Sequence, residues 1–413
     1  MMNEHYDVLE TRDPERRERE QFAQLARQLA HAKERSPALA KSLAGIDPGE
    51  ITSREALARL PVLRKSQLAE LQKEARPFGG LAATRWGAVR RVFASPGPIY
   101  EPEGAASDYW RFARALYAAG FRAGDLVHNG FSYHFTPAGS MFETAAHALG
   151  CTVFPGGTGQ TEQQVAAMAD LRPTAYVGTP SFLRIILDRA DELGVALSSI
   201  TKALVSAEPF PTSLRDALAA RGIRGFQAYG TADVGAIAYE TSARDGLVVD
   251  EGALVEIVRP GTGDPVAPGE VGEVVVTPLA NVDYPLIRYG TGDLSATLAG
   301  ASACGRTNMR IKGWLGRADQ ATKVKGLFVH PAQVAAIVGR HPEVRRARLV
   351  VDNPGGADRM ILHVEVSGVA PALAESIVES IREVTKLRGE VTFRAVDELP
   401  NDGKVIDDLR KLE

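Results

Sequence analysis

Apolar residues at Phe22, Leu25, Leu29 and Ala32 recur three and four positions apart along an otherwise charged stretch. That spacing puts them on one face and predicts a helix over residues 14–44. From Ser107, a side chain suited to an N-cap, SDYWRFARALYAAG reads as another helix, closed by Gly120. The pattern then alternates. Helix-like SMFETAAHALG precedes the apolar run CTVFP, strand-like TAYVGTP precedes helix-like SFLRIILDRADELG, and KALVSAEP precedes SLRDALAARG. Short apolar strands interleaved with amphipathic helices predict βαβ units and a mostly parallel sheet. Such sheets bind ligands outside the carboxyl ends of their strands. The turns FPGGTG, VGTP, VSAEP and AYGTAD are therefore where chemistry is expected.

After residue 250 the texture changes. ALVEIV and VGEVVVTP, joined by the Gly- and Pro-rich RPGTGDPVAPGE, predict a β-hairpin. Farther on the order is helix (HPAQVAAIVGRH), strand (RARLVVD), strand (MILHVEV), long helix (PALAESIVESIREVTKLRG) and strand (EVTFRAV). The expected fold class is α/β. A large N-terminal domain over 1–316, with mostly parallel sheets, helices and a β-rich subdomain, precedes a small α+β domain over 317–413.

Composition narrows the function without naming it. The 413 residues are 45% hydrophobic and 24% charged, with a formal net charge of -3. No basic field exists to attract nucleic acid or an anionic membrane, and neither is expected as a partner. The first residues, MMNEHYDVLETRDPERRERE, lack the apolar core of a signal peptide. No apolar run reaches the roughly 18 residues of a membrane helix, so a cytoplasmic location is expected. Cys151 and Cys304, the two cysteines, have no neighbours at zinc-ligand spacing and read as structural.

Four stretches occur in a fixed order: AYGTADVG from 228, YPLIRYGTGDLS from 284, GRADQATKVKG from 316 and NDGKVIDD from 401. Each alone has a plain structural explanation, as a strand-to-turn connection, a hairpin turn, a salt-bridged turn and a solvated turn. Together they resemble the adenylate-forming enzymes (acyl-CoA synthetases, adenylation domains and luciferases), and within them the phenylacetate-CoA ligase family. The resemblance runs nearly the whole chain, through LETRDPERRE from 9, VHNGFSYHF from 127, CTVFPGGTGQTEQQ from 151, VGTPSFL from 177 and SAEPFPTSLRDAL from 206.

The resemblance implies ATP, Mg²⁺ and coenzyme A as cofactors, and roles for particular residues. Asp293 would accept both ribose hydroxyls, a task that suits a carboxylate with two oxygens. Ala207, Glu208 and Pro209 would line the adenine, Tyr229 and Gly230 would flank the nucleotide, and Thr231 would lie near the α-phosphate. Asp233 stands where the family has a glutamate that holds Mg²⁺, one methylene longer but with the same hard oxygen. Lys404 matches the catalytic lysine, whose ammonium stabilises charge on the transferring phosphoryl group. Arg317 would reach the ribose and phosphate side, Asp319 would be the hinge, and Lys325 and Gly326 would meet the pantetheine arm of coenzyme A. Tyr133, His134 and Phe135 match the segment lining an aryl-acid pocket, although these aromatics also read as ordinary core at a strand end.

Three departures accompany the likeness. In the family a loop of the TSGTTGKP type grips the β- and γ-phosphates, whereas here RVFASPGPIYEPEG fills the slot. Ser95 and Gly97 remain as contacts, prolines remove backbone donors, and Glu101 and Glu103 stand where positive charge is expected. Gly290 replaces an arginine common in relatives. IAYETSARDG lacks the cysteines of a metal site found in some relatives, so no zinc is expected. The reading is an AMP-forming ligase joining an aromatic or arylacetic acid, a small-molecule carboxylic acid, to coenzyme A, with a homodimer left open. The alternatives are transfer of the acyl group to a carrier protein or an amine, or a non-catalytic nucleotide- or acyl-CoA-binding relative.

Overall fold

A computed structural model of the chain describes residues 4–95, 98–320, 322–324, 327–353, 358–366, 371–400 and 404–410. The short apolar runs pair side by side, as their pattern requires. Thr152–Phe154, Leu126–Asn129, Ala175–Gly178, Lys202–Val205 and Arg224–Thr231 lie in that spatial order, all parallel. Gly235–Glu240, Leu247–Val249, Arg310–Ile311 and Thr297–Leu298 extend the sheet antiparallel to nine strands.

Burial on both faces explains the continuous apolar runs. Tyr176, Ala203 and Val205 pack with Val165, Met168, Leu183 and Ile186 of the helices Thr161–Leu171 and Pro180–Glu192. Ala175, Val177 and Leu204 face the opposite core with Leu116, Phe142 and Ala145. The chain leaves Leu126–Asn129 for one side of the sheet and returns at Ala175–Gly178 on the other. That is a topological switch point, the place where an open sheet of this kind leaves a crevice.

The predicted hairpin is present as Ala253–Val258 and Gly272–Pro278. It joins Tyr289–Ser295 and the two-residue strand Leu63–Arg64 in a second sheet. Phe22, Leu25, Leu29 and Ala32 pack into the core that includes Leu254, Val274 and Tyr289.

Two elements differ from the reading by pattern. The helix expected over 14–44 is two, Pro14–Arg35 and Pro37–Ser42, because Ser36 is extended before a proline and caps Leu39. The helix expected from Ser107 spans only Ala113–Ala118. Asp108 and Arg111 have φ of 49° and 63°, and Asp108 Oδ2 accepts from the Ala113 amide, so capping falls to Asp108. Gly120, at φ 94°, ends the helix as expected.

The chain forms two compact units, Met1–Thr291 with Ala296–Gly313, and Gly292–Ser295 with Trp314–Glu413. In the second, Glu390–Arg394, Arg359–Val366, Val344–Asp352 and Ile406–Asp408 form a sheet in that order. Helices Pro331–Val338 and Pro371–Thr385 accompany it. NDGKVIDD, read as a turn, supplies the strand Ile406–Asp408, paired parallel to Val344–Asp352. Among the described residues, no helix is long and apolar enough to cross a membrane.

Candidate active site

Two turns at the carboxyl ends of neighbouring parallel strands are tied together. Ser206 Oγ donates to the Ala228 carbonyl at 2.7 Å, which sets Ala207–Pro209 beside Tyr229–Thr231. Ala207, Glu208 and Pro209 are exposed, and Ala207 holds a φ of 69°. Such a left-handed backbone at a non-glycine residue is a mark of functional turns. Glu208 Oε2 accepts from the Ser181 amide at 3.3 Å, linking this turn to the next strand end.

A register shift falls between Tyr229 and Gly230. A Cβ at position 230 would lie 2.5 Å from the Gly235 carbonyl oxygen, so only glycine lets the strand turn back here. Tyr229 is half-buried, and its hydroxyl reaches Thr291 Oγ1 at 3.4 Å. Thr231 Oγ1 accepts from the Val234 amide. That bond fixes the turn leading to Asp233, which is 3% exposed.

Asp233 is paired with a residue that no pattern flagged. Lys65 Nζ lies 3.1 Å from Asp233 Oδ2, while Asp233 Oδ1 is buried without a hydrogen-bond partner among the described residues. The Glu101 carboxyl and the Tyr289 hydroxyl lie close enough to interact with Asp233. Asp233 offers the kind of hard oxygen that Mg²⁺ takes from one or two protein carboxylates while filling its other positions with water and substrate phosphates. No group of three His, Cys, Asp or Glu side chains is gathered for a metal elsewhere among the described residues.

The proline-bearing segment is a hairpin, Arg91–Ser95 paired antiparallel with Ile99–Glu103. Its two glutamates point inward. Glu103, 1% exposed, accepts from Trp110 Nε1 at 2.7 Å and Ser140 Oγ at 2.5 Å, and pairs with Arg91. Glu101, fully buried, accepts from both the Oγ and the amide of Ser95. Burial, followed by the charge of Asp233, pushes its carboxyl up to about 8. Ser95 is thus 4% exposed and committed within the hairpin, and Gly97 lies outside the described residues.

Next to the hairpin runs the segment after Leu126–Asn129, at the switch point. The Ala94 amide donates to the Phe135 carbonyl at 2.8 Å. Tyr133 donates to Glu143 Oε2 at 2.7 Å and accepts from Asn129 Nδ2 at 2.8 Å. Its ring is held, and burial raises the pKa of its hydroxyl. His134 is exposed, and Phe135 is 79% exposed with φ at 59°. These two side chains are not core. His128, by contrast, is buried between Phe154 and Tyr176 with Nε2 2.6 Å from Gln164 Oε1, and burial lowers its pKa.

The second unit gathers its own motif residues. Arg317 Nη1 and Trp314 Nε1 both lie 3.1 Å from Asp293 Oδ1. Asp319 sits in the 3-10 turn Ala318–Gln320, whose Gln320 side chain accepts from the Val405 amide at 2.8 Å. This bond ties the turn to the neighbour of Lys404. Lys404 is exposed and lies 3.3 Å from Asp407. Lys325 and Gly326 lie outside the described residues. Gly290 is explained by space: a Cβ there would be 2.8 Å from Glu273 Oε1 and 3.3 Å from Arg64 Cγ. Arg64, opposite Gly290 on the adjacent strand, has its guanidinium on the Thr262 carbonyl and 3.5 Å from Glu273.

Comparison with known proteins bears on this arrangement. Residues 108–278 match the model of the AMP-binding enzyme family. The chain is 33% identical to a phenylacetate-coenzyme A ligase of Thermus thermophilus, over 94% of this chain and 92% of that protein. With the phenylacetate-coenzyme A ligase of Aromatoleum evansii the identity is 31%, over 89% and 86% respectively. Among solved structures, an open conformation of 2-hydroxyisobutyryl-CoA ligase, in complex with 2-HIB-AMP and CoA, superposes with a TM-score of 0.87 at 23% identity. That match covers 98% of this chain and 95% of the other, and it establishes the shared fold.

Proposed function

Because the chain belongs to the phenylacetate-CoA ligase family of AMP-binding enzymes, we propose that it activates an aromatic or arylacetic acid with ATP and passes the acyl group to coenzyme A. Membership makes it an AMP-forming acid–CoA ligase working through an acyl-adenylate. The nature of the acid and the roles of residues are the proposal. The observation that carries it is the Tyr133–Phe135 segment at the switch point, hydrogen-bonded on both sides while Phe135 stands open to a ligand.

The adenine lies against Ala207–Pro209 and Tyr229–Gly230, with Thr231 at the α-phosphate. Asp293 holds the ribose hydroxyls, and Arg317 adds positive charge beside it. The acid's carboxylate attacks the α-phosphorus, and pyrophosphate leaves. Lys404 stabilises the charge that accumulates between these two anions. Bound at Asp233, Mg²⁺ supplies charge neutralisation to the phosphates. The acyl-adenylate is then attacked by the coenzyme A thiol, AMP leaves, and the thioester forms. Lys325 and Gly326 meet the pantetheine arm, and Asp319 is the hinge between the two half-reactions. A cytoplasmic enzyme fits this chemistry, since ATP and coenzyme A are met there.

Pyrophosphate release from Mg-ATP, followed across phenylacetate, hydroxyphenylacetates, indoleacetate, benzoates and short aliphatic acids, tests the reading. Release that depends on an aryl acid, with AMP and thioester formed only when coenzyme A is added, is expected. Release driven best by aliphatic acids overturns the assignment of the pocket.

A further inference from the structure

A lysine that stabilises a transferring phosphoryl group must stand in a fixed place, and within the second unit the chain on either side of Lys404 is tied down. Before it, the Leu399 amide donates to Glu365 Oε1 at 2.7 Å. Arg346 donates to the Leu399 and Pro400 carbonyls at 3.2 and 2.9 Å, and Arg348 Nη2 donates to the Pro400 carbonyl at 3.0 Å. After it, the Val405 amide donates to Gln320 Oε1 at 2.8 Å, and the Val405 carbonyl accepts from the Leu349 amide at 2.9 Å. Asp407 follows in the strand Ile406–Asp408, opposite Val350. Its carboxylate is shared: Oδ1 lies 3.3 Å from Lys404 Nζ and Oδ2 lies 3.9 Å from Arg348 Nη1.

Arg348 thus reaches both flanks. Resting on the role proposed for Lys404, we propose that Arg348 is a positioning residue for adenylation, joining the Pro400 carbonyl to the Asp407 carboxylate and so fixing where the Lys404 ammonium stands.

Burial and chemistry favour this role over ordinary packing. Leu349 and Val351 point into the core of the unit, so Arg346 and Arg348, at alternate positions, lie on the other face of the sheet. The Arg346 side chain is 37% exposed and touches the earlier flank, whereas that of Arg348 is 8% exposed. A charge withdrawn from water is weak support for stability, and a well-packed apolar residue often serves as well or better. What a guanidinium adds is direction. Its rigid planar fork bonds a carbonyl with one arm while the other faces a carboxylate, an arrangement that a point charge does not reproduce. Acting through Lys404, Arg348 contributes placement, and a misplacement of about 1 Å can cost on the order of a hundredfold in rate.

A positioning residue and a structural one differ in what their loss does once Lys404 is already gone. Pyrophosphate release from Mg-ATP, with the acid that drives it best, is followed for Arg348→Met, Lys404→Ala and the double variant. Thioester formation from a supplied acyl-adenylate and coenzyme A is followed on the same preparations. Arg348→Met is expected to lower kcat for pyrophosphate release about tenfold or more, with KM for ATP changed less than about twofold. Thioester formation stays near the wild-type rate. In the Lys404→Ala background the same substitution costs nothing further, because no ammonium is left to place. Thermal unfolding checks each variant. If Arg348→Met does not fold, Arg348→Gln carries the same comparison, since it keeps a donor for the Pro400 carbonyl and drops the charge facing Asp407. Losses that multiply in the double variant, an equal fall in the thioester step, or a wild-type kcat without Arg348 overturns the inference alone. Wild-type pyrophosphate release by Lys404→Ala overturns the role proposed for that lysine, and the inference with it.

Discussion

Asp108 combines a left-handed backbone with a carboxyl that burial pushes up to about 7, opposed in part by its bond from the Ala113 amide. Asp250 lies close enough to raise it further, and Arg111 to lower it. The folded chain therefore holds this proton more tightly than the unfolded chain, in which aspartate titrates near 3.9. Between about pH 4 and pH 7 the folded state binds more protons, so the contribution of Asp108 to stability is full at low pH and is lost as pH rises through 7. An asparagine in its place would keep an acceptor for the Ala113 amide and carry no charge. Asp108→Asn is expected to unfold at higher urea than the wild type at pH 8, and the gap should shrink toward pH 5. The difference between the two pH values is of the order of 2 kcal/mol. Parallel stability curves for the two proteins would show that this carboxyl is already ionised.

The hairpin Arg91–Glu103 shows why some elements were legible in the sequence and others were not. The parallel strands announced themselves because Ala175–Gly178 and Lys202–Val205 are buried on both faces and read as apolar runs between turn residues. In the hairpin the buried positions include Ser95, Glu101 and Glu103, so inward polar residues erase the alternation. Glutamates that look like repulsion toward a phosphate are instead acceptors for Ser95, Ser140 and Trp110. The candidate site divides the same way. Asp293, Tyr229 and Lys404 lie in short ordered motifs, but Lys65 stands 168 residues from Asp233 and carries no local signal. Glu143 is likewise invisible without the fold that brings it to Tyr133. Grafting a TSGTTGKP-like loop over 94–102 would remove buried Ile99 and Glu101 along with the turn. The graft is expected to lower stability by about 2 kcal/mol or more. Glu101→Gln retains a donor and an acceptor for Ser95 and should be close to neutral at pH 7. Equal unfolding midpoints for the graft and the wild type would mean that the hairpin is a dispensable loop.

At the scale of the whole chain, the residues proposed for the chemistry are divided between two compact units, and the two half-reactions make different demands on them. The turns proposed for adenine and the α-phosphate belong to the first unit, whereas Lys404, Asp293 and Arg317 belong to the second. Adenylation brings a carboxylate onto an already anionic phosphorus, and the role proposed for Lys404 is to supply its ammonium at that step. Thioester formation attacks a carbonyl whose leaving group, AMP, is already a good one, and it makes no such demand. Lys404 is exposed, and its carboxylate neighbour Asp407, 3.3 Å away, is itself in reach of solvent, so removing the lysine leaves no buried charge stranded there. Lys404→Ala should accordingly fold like the wild type. It should slow pyrophosphate release by ~3 kcal/mol in barrier, about a hundredfold or more. Thioester formation from a supplied acyl-adenylate should proceed at nearly the wild-type rate. Measuring both half-reactions on the same preparation distinguishes the outcomes. Equal losses in the two would remove Lys404 from the phosphoryl-transfer step.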